Sequence, residues 1–137
     1  MIILDTNVLS ELTRAQPSAA VLDWADSIHG PDAGTTAVTV AELLYGVARL
    51  PDGKRRILLS DAIAQLVDVD LGGRAFPFDR AAASHYASIV RTREEAGRPI
   101  SVSDAQIAAI CLARGATLAT RNVRDFDGTG ITIINPF

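Results

Sequence analysis

The sequence predicts an α/β domain on a mostly parallel sheet, and three observations carry that prediction. Short apolar runs at residues 2–4, 35–38, 117–120 and 131–134 alternate with longer stretches whose apolar residues recur at helical spacing. The two late runs are rich in β-branched residues and carry no charge, as strands covered by helices on both faces require. Residues 105–113 are apolar except for Gln106, which marks a helix buried on nearly every side.

Taken in order, Ile2, Ile3 and Leu4 form the first strand, closed by Asp5, and Val8, Leu9 and Leu12 come next at helical spacing. Pro17 suits the first turn of a second helix carrying Val21, Leu22, Trp24, Ala25 and Ile28, which Gly30 and Pro31 stop. A strand over residues 35–38 is expected to hand over to a helix starting at Thr39, with Leu43, Leu44, Val47 and Leu50, broken at Pro51. Leu59, Ile63, Leu66 and Val67 share the stripe of the next helix, and a β segment falls between residues 71 and 78. Ala82, Tyr86, Ile89 and Val90 give a further helix face ending near Gly97 and Pro99. The buried helix over residues 103–114 stops at Gly115.

The chain has 137 residues, 48% of them hydrophobic and 21% charged, with a net charge of −3. That is enough apolar material for one core and too little length for two, so residues 1–137 read as a single domain. No run approaches the 18 or so apolar residues of a membrane span, and Asp5 interrupts the start before a signal core forms, which points to the cytoplasm. The lone Cys111 fits a reducing compartment and, with only His29 and His85 present, removes thiolate and histidine metal clusters. Acids outnumber bases 16 to 13, the wrong sign for tight nonspecific binding of nucleic acid. Twelve of the thirteen bases are Arg, however, whose planar fork grips phosphate where Lys is a point charge. Aromatic content of 5% leaves few platforms for stacking bases.

Four acids fall at junctions between elements: Asp5 after the first strand, Glu42 in the helix after the second, Asp104 at the start of the buried helix and Asp125 after the strand ending at Thr120. In a parallel sheet, ligands bind beyond the carboxyl ends of the strands, so these side chains are expected to share one cleft. Helix capping is the competing explanation. Thr39 to Glu42 and Ser101 to Asp104 both match the capping box, and Asp5 or Asn122 can cap the helical turn that comes after it. Two carboxylates about 5 Å apart repel by about 3 kcal/mol at an effective dielectric of 20, so a shared cleft calls for a cation. All-oxygen donors select Mg²⁺ or Mn²⁺, which lower the pKa of a coordinated water and neutralise phosphate, the chemistry of phosphodiester hydrolysis. Thr6, Asn7 and Thr120 are placed to hydrogen-bond behind such ligands. The Gly53-Lys54 pair lacks P-loop spacing, Cys111 and Trp24 read as core, and His85 has no ligand pattern around it.

The runs at residues 2–12, 40–46, 103–109 and 120–126, each containing one of these acids, resemble PIN-domain ribonucleases, most closely VapC-type toxins of bacterial toxin-antitoxin pairs and their FitB-like group. The resemblance spans nearly the whole chain. It implies a PIN-like three-layer α/β/α sandwich with a central mostly parallel sheet, Mg²⁺- or Mn²⁺-dependent cleavage of RNA, a cognate antitoxin that blocks the site, and a homodimer or higher assembly. It sets the acidic residues on Asp5, Glu42 and Asp104, with the fourth position open between Asn122, Asp125 and Asp127. A noncatalytic α/β module that assembles with a partner protein is the alternative. A phosphotransfer receiver or acid phosphatase lacks its adjacent second acid and late Lys.

Overall fold

The computed structural model describes all 137 residues. Five strands, β1 (Ile2–Leu4), β2 (Ala33–Thr36), β3 (Ala75–Phe76), β4 (Thr117–Ala119) and β5 (Thr132–Ile134), form one sheet in the order β3-β2-β1-β4-β5. Every pairing is parallel, Ile3 standing opposite Gly34 on one side and Leu118 on the other. The chain builds outward from β1 to β2 and β3, then returns to β1's other edge for β4. The gap between β1 and β4 is therefore the point where strand order reverses, and it opens a crevice at the carboxyl ends of those strands.

Successive strand residues point to opposite faces, and each face has its own core. Ile3 and Leu118 pack under α5 (Arg80–Glu95) and α6 (Val102–Arg114) with Ala82, Ile89, Ile107, Ile110 and Phe126. Leu4 and Ala119 face the other way, toward α1 (Thr6–Leu12), α2 (Ala19–Asp26), α3 (Ala37–Ala48) and α4 (Lys54–Ala64), meeting Val8, Leu9, Val21, Leu43, Val47 and Ile63. The result is the expected helix, sheet, helix sandwich. The α6 helix is buried from Ala105 through Cys111 except at half-buried Gln106, and it ends at Gly115 in the left-handed conformation, φ 59°. No helix is long and apolar enough to cross a membrane.

Two element boundaries differ from those expected of the sequence, each for a local reason. The strand ends at Thr36 and the helix starts at Ala37, because Thr36 and not Thr39 is the cap: its hydroxyl accepts from Thr39 N–H at 2.9 Å. Thr39 is thereby drawn inside, its hydroxyl satisfied by that of Thr36 at 3.0 Å. Pro17 stands outside α2 and not in its first turn. The Glu11 carboxylate takes the Ser18 N–H at 2.8 Å, which holds residues 17 and 18 ahead of the helix until Ala19. The stripe begun in α4 also continues further than an α-helix, as α4 passes into a π-helical turn, Gln65–Asp70, that buries Val67. At the far edge, β3 approaches β2 so closely that a Cβ at Gly34 would meet the Phe76 ring at 2.9 Å, and Arg74 staples the two by donating to Ala33 O at 2.7 Å.

Candidate metal centre

The site begins with Asp5, the residue that comes after β1 and caps α1. Its backbone N–H extends the ladder to Ala119 O at 3.0 Å, so the side chain is set at the reversal point by the sheet itself. One carboxylate oxygen accepts Thr6 N–H at 2.8 Å, which satisfies a free amide of the first helical turn. The other accepts the Thr120 hydroxyl at 2.7 Å and the Asn7 amide at 3.2 Å. Thr120 is fully buried at the end of β4, and its oxygen also accepts from Asn7 Nδ2 at 3.1 Å and Asn122 N–H at 3.0 Å. Asn7 closes the mesh by accepting Arg121 N–H at 2.9 Å. Asp5 is only 4% exposed, and burial raises its carboxyl above the usual range although these donors pull the other way and the Asp125 charge adds to the rise.

The other acids reach the same edge from different elements. The α6 helix runs through one residue, Gly115, into Ala116 and β4, so its first turn, with Asp104, lies at the sheet's carboxyl end. Ser101 caps this turn, accepting Asp104 N–H at 3.2 Å, and its hydroxyl also bears on the half-buried Asp104 carboxyl. Partial burial raises that carboxyl against the pull of the Ser101 hydroxyl, and the charges of Asp5 and Asp125 reinforce the rise. Glu42 is the sixth residue of α3, too far from Thr36 to be its capping partner, which removes the capping explanation for this residue. It lies at the exposed rim. Its carboxyl is also raised, by partial desolvation first and then by the charges of Asp5 and Asp104, while the Thr6 hydroxyl lowers it.

The three contenders for the fourth position differ in their electrostatics. Asp125 sits in the 3-10 turn Val123–Phe126, and its charge bears on both Asp5 and Asp104. Asp127 is turned elsewhere, ion-paired to Arg98 at 2.9 Å, which holds its carboxyl below the usual range. Asn122 is joined to the mesh through its N–H to Thr120, with no capping bond from its side chain. Cys111 is buried in α6 and its thiol is pushed up to about 12, so it is a core residue and no nucleophile. His85 lies half-buried on α5 and His29 is exposed.

The donor chemistry fits a hard divalent cation: four carboxylates with no sulfur or imidazole among them, three of them resisting ionisation through burial and one another's charge. The Thr6 hydroxyl, buried without a hydrogen-bond partner of good geometry, faces this group as a spare oxygen. As placed, no three Asp, Glu, His or Cys side chains stand together closely enough to hold a metal ion.

One residue that organises this site was not among those the sequence singled out. Arg93 is 6% exposed and spends its guanidinium on three backbone carbonyls, Arg98 O at 2.6 Å and Asp125 O and Asp127 O at 2.9 Å each. It ties the turn that carries Asp125 to α5. The signal is present in the pattern: Ala82, Tyr86, Ile89 and Arg93 share one helical stripe, and a cation on an apolar stripe needs partners. A groove of about 1060 Å³ opens from Thr6 and Glu42, with an apolar floor of Leu43, Leu59 and Ile63 and a basic rim of Arg14, Lys54 and Arg55.

The PIN domain family profile matches residues 2–130. A VapC ribonuclease, Y4jK, of Sinorhizobium fredii is 42% identical over 137 residues, covering 100% of this chain and 98% of that one. Toxin FitB of Neisseria gonorrhoeae is 39% identical, covering 100% and 99%. A solved structure of FitAB bound to an IR36 DNA fragment superposes with a TM-score of 0.91 at 38% identity, covering 99% of this chain and 95% of that one.

The site's electrostatics and its anchoring can each be tested by one substitution. Glu42 has a folded pKa above its unfolded value, so between the two the folded state holds the extra proton, and stability is lost as pH rises through that window. Metal-free Glu42→Gln is therefore expected to melt above the parent at pH 7, by about 1–2 °C given solvent screening, with the difference vanishing below about pH 4. Equal melting at both pH values would contradict the repulsion. Replacing Arg93 by Met leaves three carbonyls without their donor and is expected to cost about 3 kcal/mol in denaturant unfolding, with loss below about 1 kcal/mol counting against the anchoring role.

Proposed function

This chain belongs to the PIN-domain family, and on that footing we propose that it is a metal-dependent endoribonuclease, the toxin of a toxin-antitoxin pair. It hydrolyses RNA phosphodiester bonds as one domain over residues 1–137, in the cytoplasm. The observation that carries this reading is the Asp5 carboxylate at the reversal point, held by Thr120 and Asn7 with the charges of Glu42, Asp104 and Asp125 bearing on it or on one another. Asp5, Glu42, Asp104 and Asp125 would hold the ion, Mg²⁺ or Mn²⁺, with Thr6, Asn7, Thr120 and Asn122 behind them. A divalent ion in such a setting neutralises phosphate charge and makes water a usable nucleophile near neutral pH.

The chain's own groups have defined tasks in this scheme. Thr120 donates to Asp5 and is kept in that orientation by the two N–H groups it accepts, so the carboxylate presents a fixed face to the crevice. Ser101 fixes the first turn of α6 by accepting the Asp104 N–H, and its hydroxyl supports the Asp104 carboxyl. Raised pKa values at Asp5, Glu42 and Asp104 are relieved when positive charge arrives, so the group prefers a cation to protons as pH rises. Arg93, through the Asp125 and Asp127 carbonyls, keeps the last acid at the site.

The cognate antitoxin is a protein partner that lays an apolar segment along the groove and directs a basic side chain at the acids. The groove supports this, since its apolar floor leads to Glu42 and Thr6 at the acidic edge. A guanidinium there takes the place of cation charge and substrate at once. The relative FitB occurs in a FitAB complex on DNA, and a comparable homodimeric or larger assembly with the antitoxin is proposed here. One observation favours the noncatalytic alternative: Asp5 does cap α1, through Thr6 N–H at 2.8 Å.

Asp5→Asn is a poor arbiter because it turns an acceptor oxygen into a donor facing Asn7. Asp104→Asn leaves the cap intact, since the cap uses the backbone of that residue. With labelled structured RNAs, cleavage is expected in Mg²⁺ or Mn²⁺, none in EDTA, and at least about a hundredfold loss in Asp104→Asn with a metal-free melting temperature at or above that of the parent. Cleavage that withstands both chelator and substitution would refute the mechanism. A chain that cleaves nothing yet binds its partner would establish the binding module instead.

A further inference from the structure

An RNA strand that reaches a cluster of acids on a chain of net charge −3 needs a cation at the rim, and the structure narrows which one. Arg14, Arg56, Arg91 and Arg98 are spent on carboxylates. Arg74 and Arg93 are spent on backbone carbonyls. Arg114 ends α6, at the amino edge of the sheet, away from the acids.

Lys54, Arg55 and Arg124, like Arg121, form no ion pair, and Arg49 and Arg114 also lie over aromatic rings, Tyr45 and Phe76, but among these only Arg121 has its own N–H tied into the Asp5 mesh. It is the residue after Thr120, at the carboxyl edge, and its own N–H is tied to Asn7, one residue removed from the Asp5 oxygen that Thr120 and Asn7 share. Its side chain is exposed, forms no salt bridge, and lies over the Phe137 ring with the guanidinium carbon 4.4 Å from the centroid. Phe137 is brought there by β5, which pairs with β4 and whose Ile134 O accepts Thr120 N–H at 2.9 Å. Glu11, whose carboxyl the Arg121 charge helps to lower, is already occupied by Ser18 N–H and Arg14. The guanidinium is thus charged, un-neutralised and restrained by an aromatic face, while its outward N–H groups remain able to grip an anion bidentately. Restraint before binding lowers the entropy lost on contact.

We propose that Arg121, pinned on Phe137, is a phosphate-binding residue for single-stranded RNA, gripping the backbone on the β5 side of the acidic crevice. This rests on the ribonuclease reading and adds to it a polarity: the strand is held between the acids and β5, opposite the groove between α1 and the α3–α4 pair. Arg121 is a binding residue here, so its loss falls on RNA affinity and KM and leaves kcat near its original value.

The test is fluorescence anisotropy of a 5′-labelled single-stranded RNA of about 12 nucleotides in EDTA, with the chain carrying Asp104→Asn, across a salt series. Arg121→Gln is expected to weaken binding about tenfold and to flatten the slope of log affinity against log salt by about 0.7, the signature of one lost phosphate contact. Arg121→Lys recovers part of the loss, and Phe137→Ala, which keeps the charge but frees it, weakens binding about threefold. In cleavage assays with the otherwise unsubstituted chain, Arg121→Gln raises KM by a similar factor. Unchanged RNA affinity and salt slope in Arg121→Gln, in a parent that cleaves RNA, would overturn the clamp and leave the nuclease standing. A parent chain that neither binds nor cleaves RNA would instead overturn the ribonuclease reading, and the clamp with it.

Discussion

A carboxylate that is 4% exposed must be surrounded by donors or be neutral, and the folding of this chain is organised around meeting that demand for Asp5. The donors come from both sides of the sheet's reversal point. Thr6 and Asn7 come directly after β1, whereas Thr120 comes after β4, more than a hundred residues later in the chain. The bond from Thr120 to Asp5 therefore forms only when β1 and β4 pair in the observed register, Leu4 against Ala119. Site and sheet assemble as one event, and the same parallel order that closes the two cores opens the crevice.

Charge is distributed to keep that crevice negative. Asp127 and Glu11, acids with no place in the site, are neutralised by Arg98 and by Ser18 and Arg14, and their carboxyls are held low. The carboxyls of Asp5, Glu42 and Asp104 are held high, first by burial and then by the charge of neighbouring carboxylates. Arg93 approaches this region yet donates to carbonyls instead of carboxylates, lending position while quenching little of the charge.

Much of this is legible in the sequence because it depends on local rules. Uncharged runs with helical spacing between them mark the strands, Gly115 marks the end of α6, and acids at strand ends mark the crevice once the sheet is taken as parallel. Competition between equivalent local signals is not legible. Thr36 and Thr39 are both good caps, and the choice depends on Thr36 being fully buried at the end of β2. Pro17 is well suited to a first helical turn, but a buried Glu11 from the preceding helix claims the next amide. The surroundings of Asp125 and Asp127 are set by Arg93 and Arg98, two side chains from another helix and its trailing loop that no spacing rule connects to them. Long-range partners of single side chains are set by tertiary packing, and the pattern of one sequence holds little trace of them.

If these acids share one divalent ion, anomalous diffraction from crystals of the antitoxin-free protein grown in Mn²⁺ reads it directly. The expected result is a manganese peak at the carboxyl edge of β1 and β4, bounded by the side chains of Asp5 and Asp104, that disappears in Asp104→Asn. A map from saturating Mn²⁺ with no peak there, or with manganese only at unrelated surface carboxylates, would contradict a shared metal centre.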